Sequence, residues 1–170
     1  MKYLDVSYTV SFGKGEGGDA DTTVEITDEQ DLWVKIVKRM TDEIESDSIN
    51  EAVEEIKKEI KSYKDAKEKG EKYEIELRDS CFNTFIISYD ELSKIDWDKI
   101  NVNKFVSDVY SQVENYEEES YKELYGDFDD EYEDENDDEY NDEEDDSDDW
   151  VDEFDVDDDY TCEITGIHWG

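Results

Sequence analysis

Apolar and polar residues alternate from the start of the chain. Leu4, Val6, Tyr8, Val10 and Phe12 are interleaved with Asp5, Ser7, Thr9 and Ser11. A period of two puts one set on a buried face and the other in solvent, which predicts a strand. Thr22 to Thr27 predicts a second short strand with Val24 and Ile26 on one face, and the four glycines of Gly13 to Asp21 fit a long hairpin connection. The period then changes. Thr27 opens a T-x-x-Q capping box with Gln30, and Leu32, Trp33, Ile36, Val37, Met40 and Ile44 recur at helical spacing. Ser48 with Glu51 predicts the start of a second helix. Its stripe is Ile49, Val53, Ile56, Ile60 and Tyr63, and Gly70 is its stop.

Strands return with Tyr73, Ile75 and Leu77, and Phe82 to Tyr89 supplies an antiparallel partner. Ser88 with Glu91 predicts a short helical turn over Asp90 to Ile95, and Asn103 starts a longer helix carrying Phe105, Val109, Val113 and Tyr116. Tyr121, Leu124, Tyr125, Phe128 and Tyr132 continue its spacing. Tyr160, Cys162 and Ile164 alternate with Thr161, Glu163 and Thr165 as a last strand. The expected fold is α+β: an antiparallel sheet of about four to five short strands covered by two to three helices, with a polyacidic segment inserted before the C-terminal strand. The expected organisation is a body over residues 1–126, an acidic, aromatic-containing segment over 127–159, partly helical or disordered, and a returning strand over 160–170.

Charge changes this picture. The chain has 170 residues, with 56 Asp or Glu against 17 Lys or Arg, for a formal net charge of -39. Of those acids, 23 lie in the 34 residues from Asp127 to Tyr160, which contain no Lys or Arg. Subtraction leaves 33 acids and 17 bases, a net of -16, on the other 136 residues. In a helix, at about 1.5 Å per residue, the segment carries roughly one carboxylate per 2.2 Å; fully extended, roughly one per 5 Å. Duplex DNA carries about one charge per 1.7 Å of axis and about one per 3.4 Å of each strand. The segment also holds six aromatics, Phe128, Tyr132, Tyr140, Trp150, Phe154 and Tyr160, where a solvated polyanion needs none.

Such a chain is not expected to bind nucleic acid directly, because phosphate binding requires clustered Lys and Arg. An anionic membrane repels it, and no apolar run is long enough to span one. The N-terminus lacks the apolar core of a signal peptide, so a cytoplasmic protein is expected. Gly13, Gly15 and Gly18 match G-x-G-x-x-G, but a β-like stretch follows where a phosphate site needs a helix. Acid pairs such as Asp127/Asp129 and Asp155/Asp157 are unavoidable at this density, and no glycine serves an EF-hand, so no metal site is expected. The single histidine, His168, has no nucleophile paired with it, and Cys81 and Cys162 lack C-x-x-C spacing and read as reduced core thiols near strands. Neither an enzyme nor a cofactor is implied.

Seven lysines, Lys57, Lys58, Lys61, Lys64, Lys67, Lys69 and Lys72, fall within 16 positions. They pair along a solvated helix with Glu54, Asp65 and Glu68, or they dock on the acidic segment within one chain or across a homodimer. In charge and size the chain resembles the functional class of phage and mobile-element anti-restriction and anti-CRISPR proteins; no family motif is matched. That resemblance implies a DNA-mimic inhibitor of a basic nucleic-acid-binding protein, a nuclease or defence complex. The expected contact residues are Asp127, Asp129, Asp130, Glu131, Tyr132, Glu133, Asp134, Glu135, Asp137, Asp138, Glu139, Tyr140, Asp142, Glu143, Glu144, Asp145, Asp146, Asp148, Asp149 and Trp150. The alternative is an acidic chaperone or antagonist of another basic protein, such as a histone-like protein or toxin.

Overall fold

The computed structural model describes residues 1–12, 16–125 and 163–170. Their elements run β1 (Lys2–Phe12), β2 (Glu16–Ile26), α1 (Asp28–Met40), α2 (Ser46–Glu68), β3 (Ile75–Arg78), β4 (Thr84–Ile87), α3 (Tyr89–Leu92), a 3-10 turn (Trp97–Lys99), α4 (Val102–Tyr125) and β5 (Glu163–Trp169). The fold is α+β. Its strands form two antiparallel sheets, one in the order β2–β1–β5 and the other β3–β4.

The period-two pattern of β1 is obeyed: Leu4, Val6, Tyr8 and Val10 are buried, Asp5 is exposed, and Ser7, Thr9 and Ser11 are half-exposed. β2 is longer than its sequence predicts. It pairs with β1 without interruption from Lys2↔Ile26 to Phe12↔Glu16, so Gly17 to Asp21 lie in a ladder and not in a loop. Gly and Asp are poor strand formers, and the pairing overrides that preference. Gly17 has a steric reason to be there, because a Cβ at this position would stand 2.8 Å from the Val10 carbonyl oxygen. Gly17→Ala is expected to push the strands apart at a cost of about 1–3 kcal/mol, read as a lower midpoint in thermal unfolding.

β5 pairs with β1 from Val6↔Trp169 to Ser11↔Glu163, with a register shift that leaves Thr165 unpaired between Val10↔Ile164 and Thr9↔Gly166. This bulge resets the alternation, so Ile164 and Ile167, three positions apart, both pack on the core. The expected C-terminal strand is present as Glu163–Trp169, with its alternation reset by the bulge; Tyr160, Thr161 and Cys162 lie outside the described residues.

The helix signals behave according to how local they are. Thr27 and Gln30 form the predicted box: the Gln30 amide donates to the Thr27 hydroxyl at 3.1 Å, and the Thr27 amide donates to Gln30 Oε1 at 2.8 Å. The Ser48–Glu51 box is absent. α2 starts three residues earlier than that box places it, capped by Glu45 in place of Ser48 and without a side-chain bond. Ile44 fixes this entry, fully buried with its amide bonded to the Ile167 carbonyl at 3.0 Å. Gly70 ends α2 as expected. At φ 72° it forms a Schellman turn in which the Glu71 amide bonds the Ala66 carbonyl at 2.9 Å and the Gly70 amide bonds that of Lys67 at 3.1 Å. α4 begins one residue before Asn103, with Asn101 Oδ1 accepting from the Lys104 amide at 3.0 Å. Phe105, Val109 and Val113 are buried on its inner face, whereas Tyr116 and, on α1, Leu32 are exposed.

One apolar cluster joins the parts. Phe105 of α4 meets Trp33 of α1 edge-on at 4.8 Å and stacks toward Trp169 of β5 at 6.3 Å, so helices cover the inner face of the three-stranded sheet. The small sheet packs on α2 through β3, and the Arg39 guanidinium lies 4.1 Å from the Phe85 ring. Thr41 is the one buried polar residue among those described.

Between β3 and β4 the chain turns through Ser80, Cys81 and Phe82. The Asp79 carboxylate accepts from the Cys81 amide at 3.0 Å, the Asn83 amide at 2.7 Å and Asn83 Nδ2 at 3.1 Å. This turn holds Cys81 exposed, which corrects its expected place as a core thiol. The Asn83 side-chain bond, with help from the two amides, holds the Asp79 carboxyl below its ordinary 3.8. The turn's contribution is thus complete above that value and is lost as pH falls through the lower folded pKa. Carboxyl NMR titration should place the Asp79 midpoint under 3.8 and move the Asn83 amide with it.

Candidate polyanionic interface

The expected contact residues, Asp127 to Trp150, lie outside the described residues, as do the aromatics Phe128, Tyr132, Tyr140, Trp150, Phe154 and Tyr160. Their two roots are described. α4 leads into the segment and β5 leaves it, and both are held in the folded body.

The roots are acidic and aromatic in their own right. A cleft of about 610 Å³ is lined by Tyr110, Glu114, Glu117, Glu118, Tyr121, Glu163 and Ile164, bringing α4 against the first turn-out of β5. The buried Tyr8 hydroxyl donates to Glu117 Oε1, pinning α4 to β1 across the sheet's inner face. Burial, with the Glu45 charge adding to it, raises the Tyr110 pKa, so its hydroxyl stays protonated. Lys122 bonds Glu118 at 2.8 Å and holds its carboxyl low. From Glu114 to Tyr125 there are five Glu against that one lysine.

The outer face of the three-stranded sheet extends this surface. Cross-strand partners share a face, so the pairs Asp5↔Thr23, Ser7↔Asp21, Thr9↔Asp19 and Tyr3↔Glu25 put Asp5, Asp19, Asp21 and Glu25 on one side. Ser11↔Glu163 and Ser7↔His168 add Glu163 and His168 to it. Five carboxylates, hydroxyls, the Tyr3 ring and one imidazole make up this face, and the pairs that form it include no Lys or Arg. Reading Gly13 to Asp21 as a loop conceals it; continuing the alternation of β1 across the hairpin would reveal Asp19 and Asp21.

The clustered lysines divide. Lys57, Lys61 and Lys64 line a groove of about 680 Å³ together with Lys94, while Lys67 faces the Tyr63 ring at 6.0 Å. Lys57 pairs with Glu54 at 3.0 Å, as helical spacing predicts, and with Asp98 at 3.7 Å. Asp65 and Glu68 line the same groove without entering an ion pair among the described residues. Docking of these lysines on residues 127–159 lies outside what is described.

Among the described residues no group of His, Cys, Asp and Glu is arranged to hold a metal ion, and no helix is long and apolar enough to cross a membrane. No helix follows Gly18, where β2 continues. No protein-family model, curated protein or solved structure matches the chain.

Proposed function

We propose that the chain is an acidic DNA-mimic inhibitor that occupies the nucleic-acid-binding groove of a basic DNA-processing or host-defence protein, of the restriction or CRISPR effector type. It acts in the cytoplasm of a bacterial host cell and is encoded by a phage or mobile element. The observation that carries this reading is the placement of 23 carboxylates and no Lys or Arg in 34 residues. The mechanism is competition. Carboxylates meet the Lys and Arg that otherwise hold phosphates, while aromatics such as Tyr132, Tyr140 and Trp150 supply desolvated anchors between them. Support comes also from the segment's roots, because α4 and β5 hold both of its ends to a body whose exposed sheet face is itself acidic.

The alternative, a chaperone or antagonist of a basic protein that does not process DNA, needs the charges but not their framework. A peptide of residues 127–159 would then retain most of the activity, whereas mimicry needs the full chain. Affinity capture from a bacterial lysate tests the proposal: the retained proteins should bind nucleic acid and be released by duplex DNA at constant ionic strength. Retention of proteins that do not bind nucleic acid would refute mimicry.

A further inference from the structure

Sheet edges present unpaired amides and carbonyls that recruit other strands unless they are covered or charged. On β2, Gln112 of α4 stands in for a neighbouring strand: its Oε1 accepts from the Glu25 amide at 2.7 Å and its Nε2 donates to the Glu25 carbonyl at 2.9 Å. On β5, the Ile167 carbonyl takes the Ile44 amide at 3.0 Å and the Trp169 amide donates to the Asp42 carbonyl at 3.1 Å. β3 alternates the charged Glu76 and Arg78.

β4 has none of these devices. Among the described residues it pairs with β3 alone, and it lies in Ser80 to Tyr89, the longest stretch of the chain without a charged side chain. The Asp79 amide donates to the Asn83 carbonyl at 2.9 Å. Antiparallel pairs alternate between bonded and non-bonded, so the amides and carbonyls of Thr84 and Ile86 point to the open edge. The Ile86 side chain is 63% exposed.

A second feature lies in the turn that leads into β4. Phe82 is 83% exposed at a φ of 63°, a left-handed backbone that a turn of this type normally gives to glycine. It bounds a groove of about 440 Å³ whose charged lining is Asp42, Glu43, Glu51, Glu55, Asp79 and Arg78. A cation beside an aromatic ring and several carboxylates is doubly attracted, whereas a second copy of a chain of net charge -39 is repelled.

We propose that the open edge of β4 receives an extended, basic strand of the target protein. Thr84 and Ile86 supply the main-chain hydrogen bonds, and the groove beside Phe82 takes one of the strand's Arg or Lys side chains. The inference rests on the reading of the partner as a basic protein and adds a second contact, on the folded body, to that of the acidic segment.

The test uses the full chain and a decapeptide of alternating arginine and valine, followed by amide hydrogen exchange. At saturating peptide, exchange at Thr84 and Ile86 should slow by roughly tenfold or more. Ile86→Pro removes an outward-pointing donor, a position where an edge strand tolerates proline, and should abolish that protection. Phe82→Gly relieves the left-handed backbone, so it should melt no lower than the parent while weakening the protection. In both variants the peptide should still bind residues 127–159. Peptide binding without slower exchange at Thr84 and Ile86, or protection that survives Ile86→Pro, overturns the inference and leaves the acidic-segment reading standing. Protection that grows with protein concentration in the absence of peptide also overturns it, because a second copy is then the occupant. A complete lack of peptide binding overturns both.

Discussion

Converting the 23 carboxylates between Asp127 and Asp159 to amides is expected to abolish binding to basic nucleic-acid-binding proteins while leaving the body folded. The segment carries no Lys or Arg of its own, so each lost carboxylate removes attraction without exposing a repelled base. The size of the effect follows from counterion release. Each neutralised charge contributes about 0.7 to the slope of log affinity against log salt on a polyanion of single-strand density, the spacing that the helical and extended limits bracket. A contact of about 6–10 charge pairs then loses roughly 10²–10⁴ in affinity between 50 and 200 mM salt. The parent chain should show a slope of that order, and the amide variant one near zero. Relief of self-repulsion should also leave the variant's melting temperature equal to or above that of the parent. Isothermal titration across a salt series, with circular dichroism on the same samples, reads both quantities. A variant that binds as tightly as the parent would remove the acidic segment from the mechanism.

Phe105→Ala is expected to be the most damaging single change to the body. Phe105 is 2% exposed and joins three elements, meeting Trp33 of α1 at 4.8 Å and Trp169 of β5 at 6.3 Å. Removing a fully buried phenyl ring costs about 3–5 kcal/mol through lost transfer energy and the remaining cavity. In a domain of this size, that lowers the melting temperature by roughly 6–20 °C. Because β5 is one root of the acidic segment, the same change loosens the frame that holds the segment's return. Leu32→Ala supplies the control: Leu32 lies on the same helix as Trp33 but is 50% exposed, so its cost should be about 0.5 kcal/mol or less. Thermal unfolding of the two variants side by side decides it; equal losses would mean that the Trp33–Phe105–Trp169 contact is not the centre of the core.

What the sequence makes legible follows the range of the interactions involved. The Thr27–Gln30 box and the Gly70 stop are written in neighbouring residues, and both form. The Ser48–Glu51 pair has an equally good local signature, yet the helix starts at Ser46 because Ile44 is tied to Ile167 from the far end of the chain. Strand pairing is longer in range still. The alternation of Leu4 to Phe12 identifies a strand, but nothing local reveals that the five strands of the described residues divide into two sheets, or that a bulge at Thr165 turns Ile167 inward. The candidate interface divides in the same way. Its charge is visible in any count of acids, whereas the carboxylate face of Asp5, Asp19, Asp21, Glu25 and Glu163 exists only through cross-strand register. The open edge of β4 is likewise defined by what the other edges have and it lacks.

Mimicry requires that the chain and DNA exclude each other from one surface, and competition at constant ionic strength measures this directly. With a captured nucleic-acid-binding target, the apparent Kd of the full chain should rise in proportion to duplex DNA once DNA exceeds its own Kd. An apparent Kd that stays constant as DNA increases would show that both bind at once, and would contradict the account.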